Sequence, residues 1–104
     1  MRGINKITLL GHCGKDPQVN PKRTAAMVTL ATKEEWTNDG GVKQKKTEWH
    51  TLQFYGGLAS VASDLIKKGC KIYVEGKNQT EKWTGNDGYE RTITKVVVNE
   101  FRVL

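Results

Sequence analysis

Five segments of this sequence alternate between apolar and polar residues, and only one segment has the spacing of a helix. Alternation with a period of two predicts β-strands, because successive side chains of a strand point to opposite faces of a sheet. Turn-forming residues separate the segments, most clearly at 37–45, expected to be a long mobile hairpin tip, and at the Gly-Asn-Asp-Gly run 85–88. The sequence therefore predicts an all-β fold whose strands are residues 4–14, 25–36, 46–56, 70–84 and 89–104.

The predicted helix, residues 58–69, lies between the third and fourth predicted strands, and Gly69 is a natural end for it. Its expected buried face consists of the apolar residues at helical spacing, Leu58, Val61, Ala62 and Leu65. Three strands, a short helix and two strands is the order of a five-stranded Greek-key barrel, the OB-fold. A half-open meander has as many strands but does not need a helix there, so the barrel is preferred. Residues 16–23 hold both prolines and are predicted to be a loop or a broken strand.

Length and charge limit the chain to a few classes of protein. A chain of 104 residues suits one domain, residues 1–104, with one small core. The formal net charge of +6 is compatible with an anionic partner such as nucleic acid, but a soluble basic protein has the same balance. No apolar run approaches the ~20 residues that cross a bilayer, and the N-terminal segment lacks the features of a signal peptide. We therefore expect a cytoplasmic protein that does not contact a membrane.

The two cysteines, Cys13 and Cys70, do not form a metal-binding pattern. No nucleophile has an evident paired base, and no carboxylate cluster suggests a metal, so neither an enzyme nor a bound cofactor or metal is expected. An OB barrel closes by antiparallel pairing of its first and fourth strands, which would bring Cys13 near Cys70. Both are expected to be free thiols, because the cytoplasm disfavours disulfides.

Large aromatic rings lie on the polar face of the third predicted strand, KTEWHTLQFYG, residues 46–56. Leu52 and Phe54 point to one face and predict a core contact, whereas Trp49 and Tyr55 point to the other. Unpaired bases stack on such rings at roughly 1–3 kcal/mol each, whatever their sequence. Rings packed against a neighbouring protein subunit are the alternative. Interleaved lysines favour nucleic acid, and these are Lys43, Lys45, Lys46, Lys77 and Lys82.

Several runs of the sequence resemble the bacterial single-stranded DNA-binding protein (SSB) family. They are RGINKITLLGHCGKDP, TLATKEEW, KTEWHTLQFYGGLASVASDLIKKGCKIYVEG, KW and VVVN, which together extend from Arg2 to about Asn99. The resemblance implies an OB-fold homotetramer that binds single-stranded DNA without sequence preference in replication, recombination and repair, associated with the nucleoid. By position it implies base stacking on Trp36, Trp49, Tyr55 and Trp83, backbone contacts from Arg2, Lys6, Lys43, Lys82 and Arg91, and a subunit contact at His50.

The sequence departs from the family pattern at three places. Gln79 and Glu81 stand where the family often has arginine, which is expected to lower the local affinity for phosphate. The loop at 16–27 is shorter than usual. The chain stops at NEFRVL, whereas family members usually continue into a disordered linker and an acidic tip that recruits replication and repair proteins, so partners that bind this tail are not expected from this chain.

Two other functions fit an OB-fold of this length. A primosomal accessory protein would be a short, dimeric OB protein, but the tryptophans and the TEWH run argue against it. A protein-assembly module would use the outward aromatics as a protein interface. It predicts little change in fluorescence when DNA is added.

Overall fold

The computed structural model describes all residues, 1–104, and contains six strands and one helix. The helix is α1 (Gly57–Leu65), and it lies between the fourth and fifth strands. The strands are β1 (Ile7–Cys13), β2 (Gln18–Val19), β3 (Ala25–Thr37), β4 (Lys43–Tyr55), β5 (Lys71–Thr84) and β6 (Glu90–Val103). The five predicted strands correspond to β1, β3, β4, β5 and β6, and β2 is the broken strand between the two prolines.

The five long strands close into a barrel in the order β1–β5–β6–β4–β3 and back to β1. Strand β1 pairs antiparallel with both β5 and β3, β6 pairs antiparallel with β5, and the contact between β4 and β6 is parallel. The two-residue β2 adds only to the edge of β3. This is the strand order of the OB-fold, so the predicted fold is confirmed, including the antiparallel pairing of the first and fourth predicted strands.

Two hairpins extend the barrel strands. Strands β3 and β4 remain paired as far as Thr37 and Lys43, so four of the nine residues of the predicted tip at 37–45 belong to strands and the turn comprises 38–42. The turn itself is held by Asn38, whose side-chain oxygen accepts hydrogen bonds of 3.0 Å from the backbone N–H groups of Gly40 and Val42. The β5–β6 hairpin turns at residues 85–88, as predicted.

The core fills the inside of the barrel and the contact with α1. Leu52 and Phe54, which the alternation of β4 directs inward, are fully buried, and Phe54 meets Phe101 edge to face with ring centroids 5.2 Å apart. Backbones approach closely where β1 crosses β3, since a Cβ on Gly11 would lie 2.2 Å from the Ala31 carbonyl oxygen. The remaining core residues include Cys13, Ala26, Val28, Leu30, Ile72, Val74, Val96 and Val98.

The buried face of α1 differs from the predicted one. Ala59, Ala62 and Ile66 are fully buried, whereas Val61 and Leu65 are 45% and 54% exposed. Of the predicted face, Ala62 is buried, and Leu58 is partly buried against the core. Ala59 and Ala62, three positions apart, share a helix face, and Ile66 follows directly after the helix. Small alanines let the helix approach the barrel more closely than valine and leucine would. The prediction weighted the larger side chains and so selected the wrong face at Val61 and Leu65.

The end of α1 also comes earlier than predicted. The helix stops at Leu65 and Ile66 is extended, so Lys67 and Lys68 follow the helix instead of forming its last turn. At nine residues, α1 is too short to cross a membrane, and the structure contains no other helix that could.

Replacing Ile66 and Leu65 separately by alanine tests this assignment. Ile66→Ala should lower the free energy of unfolding by about 2–5 kcal/mol, because it leaves a cavity between α1 and the barrel. Leu65→Ala should change it by about 0.5 kcal/mol or less, because that side chain is largely in water. Urea unfolding of both variants measures the difference. A larger loss from Leu65→Ala would contradict the observed face.

Candidate nucleic-acid interface

The outside of the barrel carries a continuous surface across β3, β4, β6 and β5. Directly opposed residues of neighbouring strands share a face of the sheet, so the register assigns each side chain to the inside or the outside. We call the surface formed by the outward residues the outer sheet face. Its members include Ala25, Met27, Thr29, Ala31, Lys43, Lys45, Thr47, Trp49, Thr51, Gln53, Tyr55, Lys77, Gln79, Glu81, Trp83, Arg91, Ile93, Lys95 and Val97.

Three of the four predicted stacking rings lie on this face. Trp49 and Tyr55 are 60% and 47% exposed, and their separation of six residues along β4 corresponds to about 20 Å in a strand. Trp83 is 46% exposed on β5, near the tip of its hairpin, and stands opposite Arg91 of β6. A single strand crossing from β4 to the β5–β6 hairpin would therefore meet rings at both ends of its path.

Trp36 lies on the other face of the β3–β4 hairpin. It stands opposite Gln44 and has the same parity as the buried Val28 and Leu30, whereas Trp49 stands opposite Ala31. The ring is 47% exposed because the hairpin extends past the core at this point. It lines a shallow pocket with Lys43, Lys45 and Glu35, and the Lys45 ammonium lies 3.9 Å from the Glu35 carboxylate.

The predicted phosphate-binding cations are exposed but do not share one face. Arg91 lies on the outer sheet face and is ion-paired with Asp87 of the adjacent turn. Lys82 stands opposite Thr92, so it faces away from Trp83. Lys6, in the segment before β1, lies 4.0 Å from the Glu75 carboxylate. The other two are Arg2, exposed before β1, and Lys43, exposed at the start of β4.

The carboxylate near Lys6 also accepts a hydrogen bond within its own strand. The hydroxyl of Tyr73 donates to the Glu75 carboxylate at 2.5 Å. This hydrogen bond raises the pKa of Tyr73 and lowers the pKa of Glu75, and Lys6 lowers the pKa of Glu75 further. Glu75 therefore remains ionised beside Lys6 at neutral pH.

A polar bridge formed by Gln53, Lys95 and Glu81 crosses the middle of the outer sheet face. Lys95 lies 3.0 Å from the Glu81 carboxylate and 3.5 Å from the Gln53 side-chain oxygen, while the Gln53 amide donates to the Ala26 carbonyl at 3.1 Å. Gln53 and Lys95 are 6% and 8% exposed. The sequence singles out neither Gln53 nor Lys95, because residues 42 positions apart meet here only through the parallel β4–β6 contact.

This bridge changes the interpretation of Glu81, one of the departures from the family pattern. Its carboxylate is paired with Lys95, a lysine whose side chain is only 9% exposed. The negative charge is therefore largely matched within the protein. A lower phosphate affinity at this position stays a prediction.

The two ends of the ion pair should contribute unequally to stability. Glu81→Gln should lower the free energy of unfolding by about 1–2 kcal/mol, because it leaves a nearly buried ammonium without a counter-charge. Lys95→Met should lower it by less than about 1 kcal/mol, because Glu81 is 40% exposed and can be hydrated. Chemical unfolding at pH 7 measures both, with Glu90→Gln, an exposed residue of β6, as control. Equal losses from the two substitutions would be inconsistent with a buried lysine as the sensitive partner.

His50 lies on the inward parity of β4, near the end of the core. It is half-buried, and its Nε2 atom lies 2.9 Å from the Thr32 hydroxyl. His50 and Thr32 line an open depression together with Leu10 of β1, which is 50% exposed. The ring is thus held by a structural hydrogen bond beside an exposed apolar side chain.

The two cysteines meet where β1 and β5 begin to pair. Cys13 and Cys70 are free thiols with their sulfur atoms 3.8 Å apart, as the barrel topology predicted. The backbone forms a bulge there: Gly69 N–H donates to the Cys13 carbonyl at 2.8 Å, and Cys13 N–H donates to the Cys70 carbonyl at 3.0 Å. Gly69 has φ of 85°, which glycine adopts readily.

Burial, and then the neighbouring Cys70, raise the pKa of Cys13 to about 12.

The thiols should therefore react at different rates. At pH 8 iodoacetamide should modify Cys70, which is half-buried, well before Cys13, which is buried and holds its proton. Peptide mass spectrometry over a time course of alkylation follows each site. In urea the two rates should converge, and faster modification of Cys13 in the folded protein would refute the difference in environment.

Comparison with known proteins places this geometry among binders of single strands. The model of the Single-strand binding protein family matches residues 4–104. The structure of Plasmodium falciparum SSB in complex with ssDNA is similar, with a TM-score of 0.89 and 26% identity over 100% of this chain and 97% of that chain. A deletion mutant of the single-stranded DNA binding protein from Thermus aquaticus gives a TM-score of 0.79 at 26% identity. That match covers 99% of this chain and 51% of the Thermus chain, so this chain spans about half of its length.

Proposed function

The chain belongs to the single-strand binding protein family, and on that premise we propose that it binds single-stranded DNA through the outer sheet face without reading its sequence. The observation that carries the proposal is the exposure of Trp49, Tyr55 and Trp83 on one continuous surface of an OB barrel. Exposed rings of this size fit a partner with flat, unpaired bases.

Base stacking and phosphate contacts make separate contributions to binding. Bases stack on the rings at roughly 1–3 kcal/mol each with little regard for sequence, because every base has a π-face. Arg91, Lys43 and Lys82 contact the phosphate backbone, with Arg2 and Lys6 contributing from the segment before β1. Trp36 stacks a further base on the far face of the β3–β4 hairpin, which requires the strand to turn around that hairpin.

Binding of this kind holds the strand open and shields it during replication, recombination and repair. We infer no catalytic turnover and no cofactor, because stacking and charge neutralisation suffice for this role. The protein acts in the cytoplasm, where its DNA substrate lies. We infer further that it assembles into a homotetramer, supported by the exposed Leu10 beside His50 and Thr32, a surface suited to a second copy of the chain.

Titration of intrinsic tryptophan fluorescence with poly(dT) tests the function. The single strand should quench the emission strongly and duplex DNA should not, because duplex bases are already stacked. Affinity should fall with salt along a log–log slope of about −0.7Z, where Z is the number of phosphates neutralised. An emission that does not respond to the single strand would favour a protein interface for these rings instead.

Truncation of Trp49 tests its place in the site. Trp49→Ala should weaken binding of a dT oligonucleotide by about 1–3 kcal/mol, the range measured for one stacked base. Trp49→Phe should retain much of the affinity, because it keeps a ring at the same position. Fluorescence anisotropy of a labelled oligonucleotide measures both, with circular dichroism as the check on folding. Wild-type affinity in Trp49→Ala would remove this residue from the site.

A further inference from the structure

Gly14, the residue that follows β1, lies directly against the ring of Trp49. A Cβ atom at Gly14 would lie 2.6 Å from Cζ3 and 2.9 Å from Cη2 of Trp49, the far end of the indole, and 3.3 Å from Oγ1 of Thr29. Carbon atoms in contact are normally separated by about 3.5–4.0 Å. The indole therefore occupies the space that any side chain at position 14 would need.

The backbone of Gly14 is fixed where it meets the ring. Its N–H donates to the Thr29 carbonyl at 3.0 Å, and the preceding residue, Cys13, is bonded on both backbone sides to the Gly69–Cys70 bulge. Gly14 is not among the glycines with positive φ, so the position requires glycine for space and not for backbone conformation. A side chain there would move the ring, because the backbone is tied to β3 and, through Cys13, to the Gly69–Cys70 bulge.

The contact of Gly14 differs from that of Gly11, three residues earlier. A Cβ on Gly11 would collide with the backbone of Ala31, part of the barrel wall. A Cβ on Gly14 would collide with a side chain that is 60% exposed and has room to swing outward. Substitution at Gly14 should therefore displace the ring and leave the barrel intact.

We propose that Gly14 is a positioning residue for single-stranded DNA binding, which sets the depth and tilt of the Trp49 ring on the outer sheet face. The ring, Gly14, Lys15 and Thr29 line a mainly apolar hollow that is open to solvent. A base that stacks on Trp49 meets the ring at an angle fixed by this contact, with Lys15 at the rim of the hollow. The proposal rests on the proposed function, because it assigns Gly14 a role in that same site.

The first test follows the ring without DNA. In a background carrying Trp36→Phe and Trp83→Phe, Trp49 is the only tryptophan, so its emission reports its own environment. Gly14→Ala should shift the emission to longer wavelength and increase quenching by acrylamide, because the Trp49 ring moves away from residue 14 and becomes more exposed to water. Gly57→Ala is the matched control, since a Cβ there meets nothing within 4 Å and the φ is not positive. An emission spectrum in Gly14→Ala identical to that of the parent would overturn the proposal.

The second test couples the two positions in a double-mutant cycle. In the otherwise wild-type chain, Gly14→Ala should weaken dT-oligonucleotide binding by about five- to tenfold, a part of the free energy of one stacked base. In a Trp49→Phe background the same change should cost less than about twofold, because phenylalanine lacks the far end of the indole. An equal loss in both backgrounds would assign the effect to the loop and refute the positioning role.

The two proposals fail in distinguishable ways. If the wild type did not bind the single strand, the proposed function would fall, and the binding role of Gly14 with it. If the wild type bound and Gly14→Ala bound equally well, only the proposal for Gly14 would be overturned. Thermal unfolding of Gly14→Ala close to that of Gly57→Ala is the expected result, and unfolding at a much lower temperature would refute the claim that the barrel stays intact.

Discussion

The parallel contact between β4 and β6 is the constraint on which the candidate site depends. It consists of the register Leu52 to Val96 and Gln53 to Val97, at the point where the two hairpins of the barrel meet. Inside, Leu52 and Val96 are buried in the core. Outside, the polar bridge of Gln53, Lys95 and Glu81 crosses the same contact. Without this junction the rings of β4 and the Trp83 ring of the β5–β6 hairpin would belong to separate surfaces.

Two cations of the candidate site, Arg91 and Lys6, already lie beside a carboxylate, and this affects how a phosphate could bind. Arg91 is paired with Asp87, and Lys6 lies near Glu75. The Arg91–Asp87 pair is exposed, and exposed ion pairs contribute about 0–1 kcal/mol to stability. Exchanging such a carboxylate for a phosphate therefore costs little. The Lys95–Glu81 pair is different, because Lys95 is nearly buried and serves the junction between strands.

Much of the fold could be predicted from the sequence because each strand carries its own alternation. The order of the segments then selected the barrel, and the barrel in turn brought Cys13 to Cys70. The face on which Trp36 lies could also be predicted, since its parity matches that of the buried Val28 and Leu30. The prediction grouped Trp36 with the other stacking rings and did not extend the inside–outside alternation of its strand as far as residue 36.

Other features could not be predicted, because they depend on contacts between distant segments. The burial of Gln53 follows from Lys95, which reaches it from another strand. The buried face of α1 is decided by how closely the helix approaches the barrel. Alternation within one strand does not show which residue of another strand contacts Gln53. Helical spacing alone allowed both the predicted and the observed buried face of α1. Contacts of this kind become visible only when the register between strands is known.

The stretch from Gly11 to Gly14 shows how fold and site are joined in this molecule. Gly11 gives β1 the space to cross the backbone of β3, and Cys13 anchors the end of the strand to the bulge at Gly69 and Cys70. The Trp49 ring then occupies the space that a side chain at Gly14 would fill. The path of β1 through the barrel closure thus determines the position of Gly14, and Gly14 limits where the ring can lie. The orientation of an exposed ring is in this way fixed by the same backbone that closes the barrel.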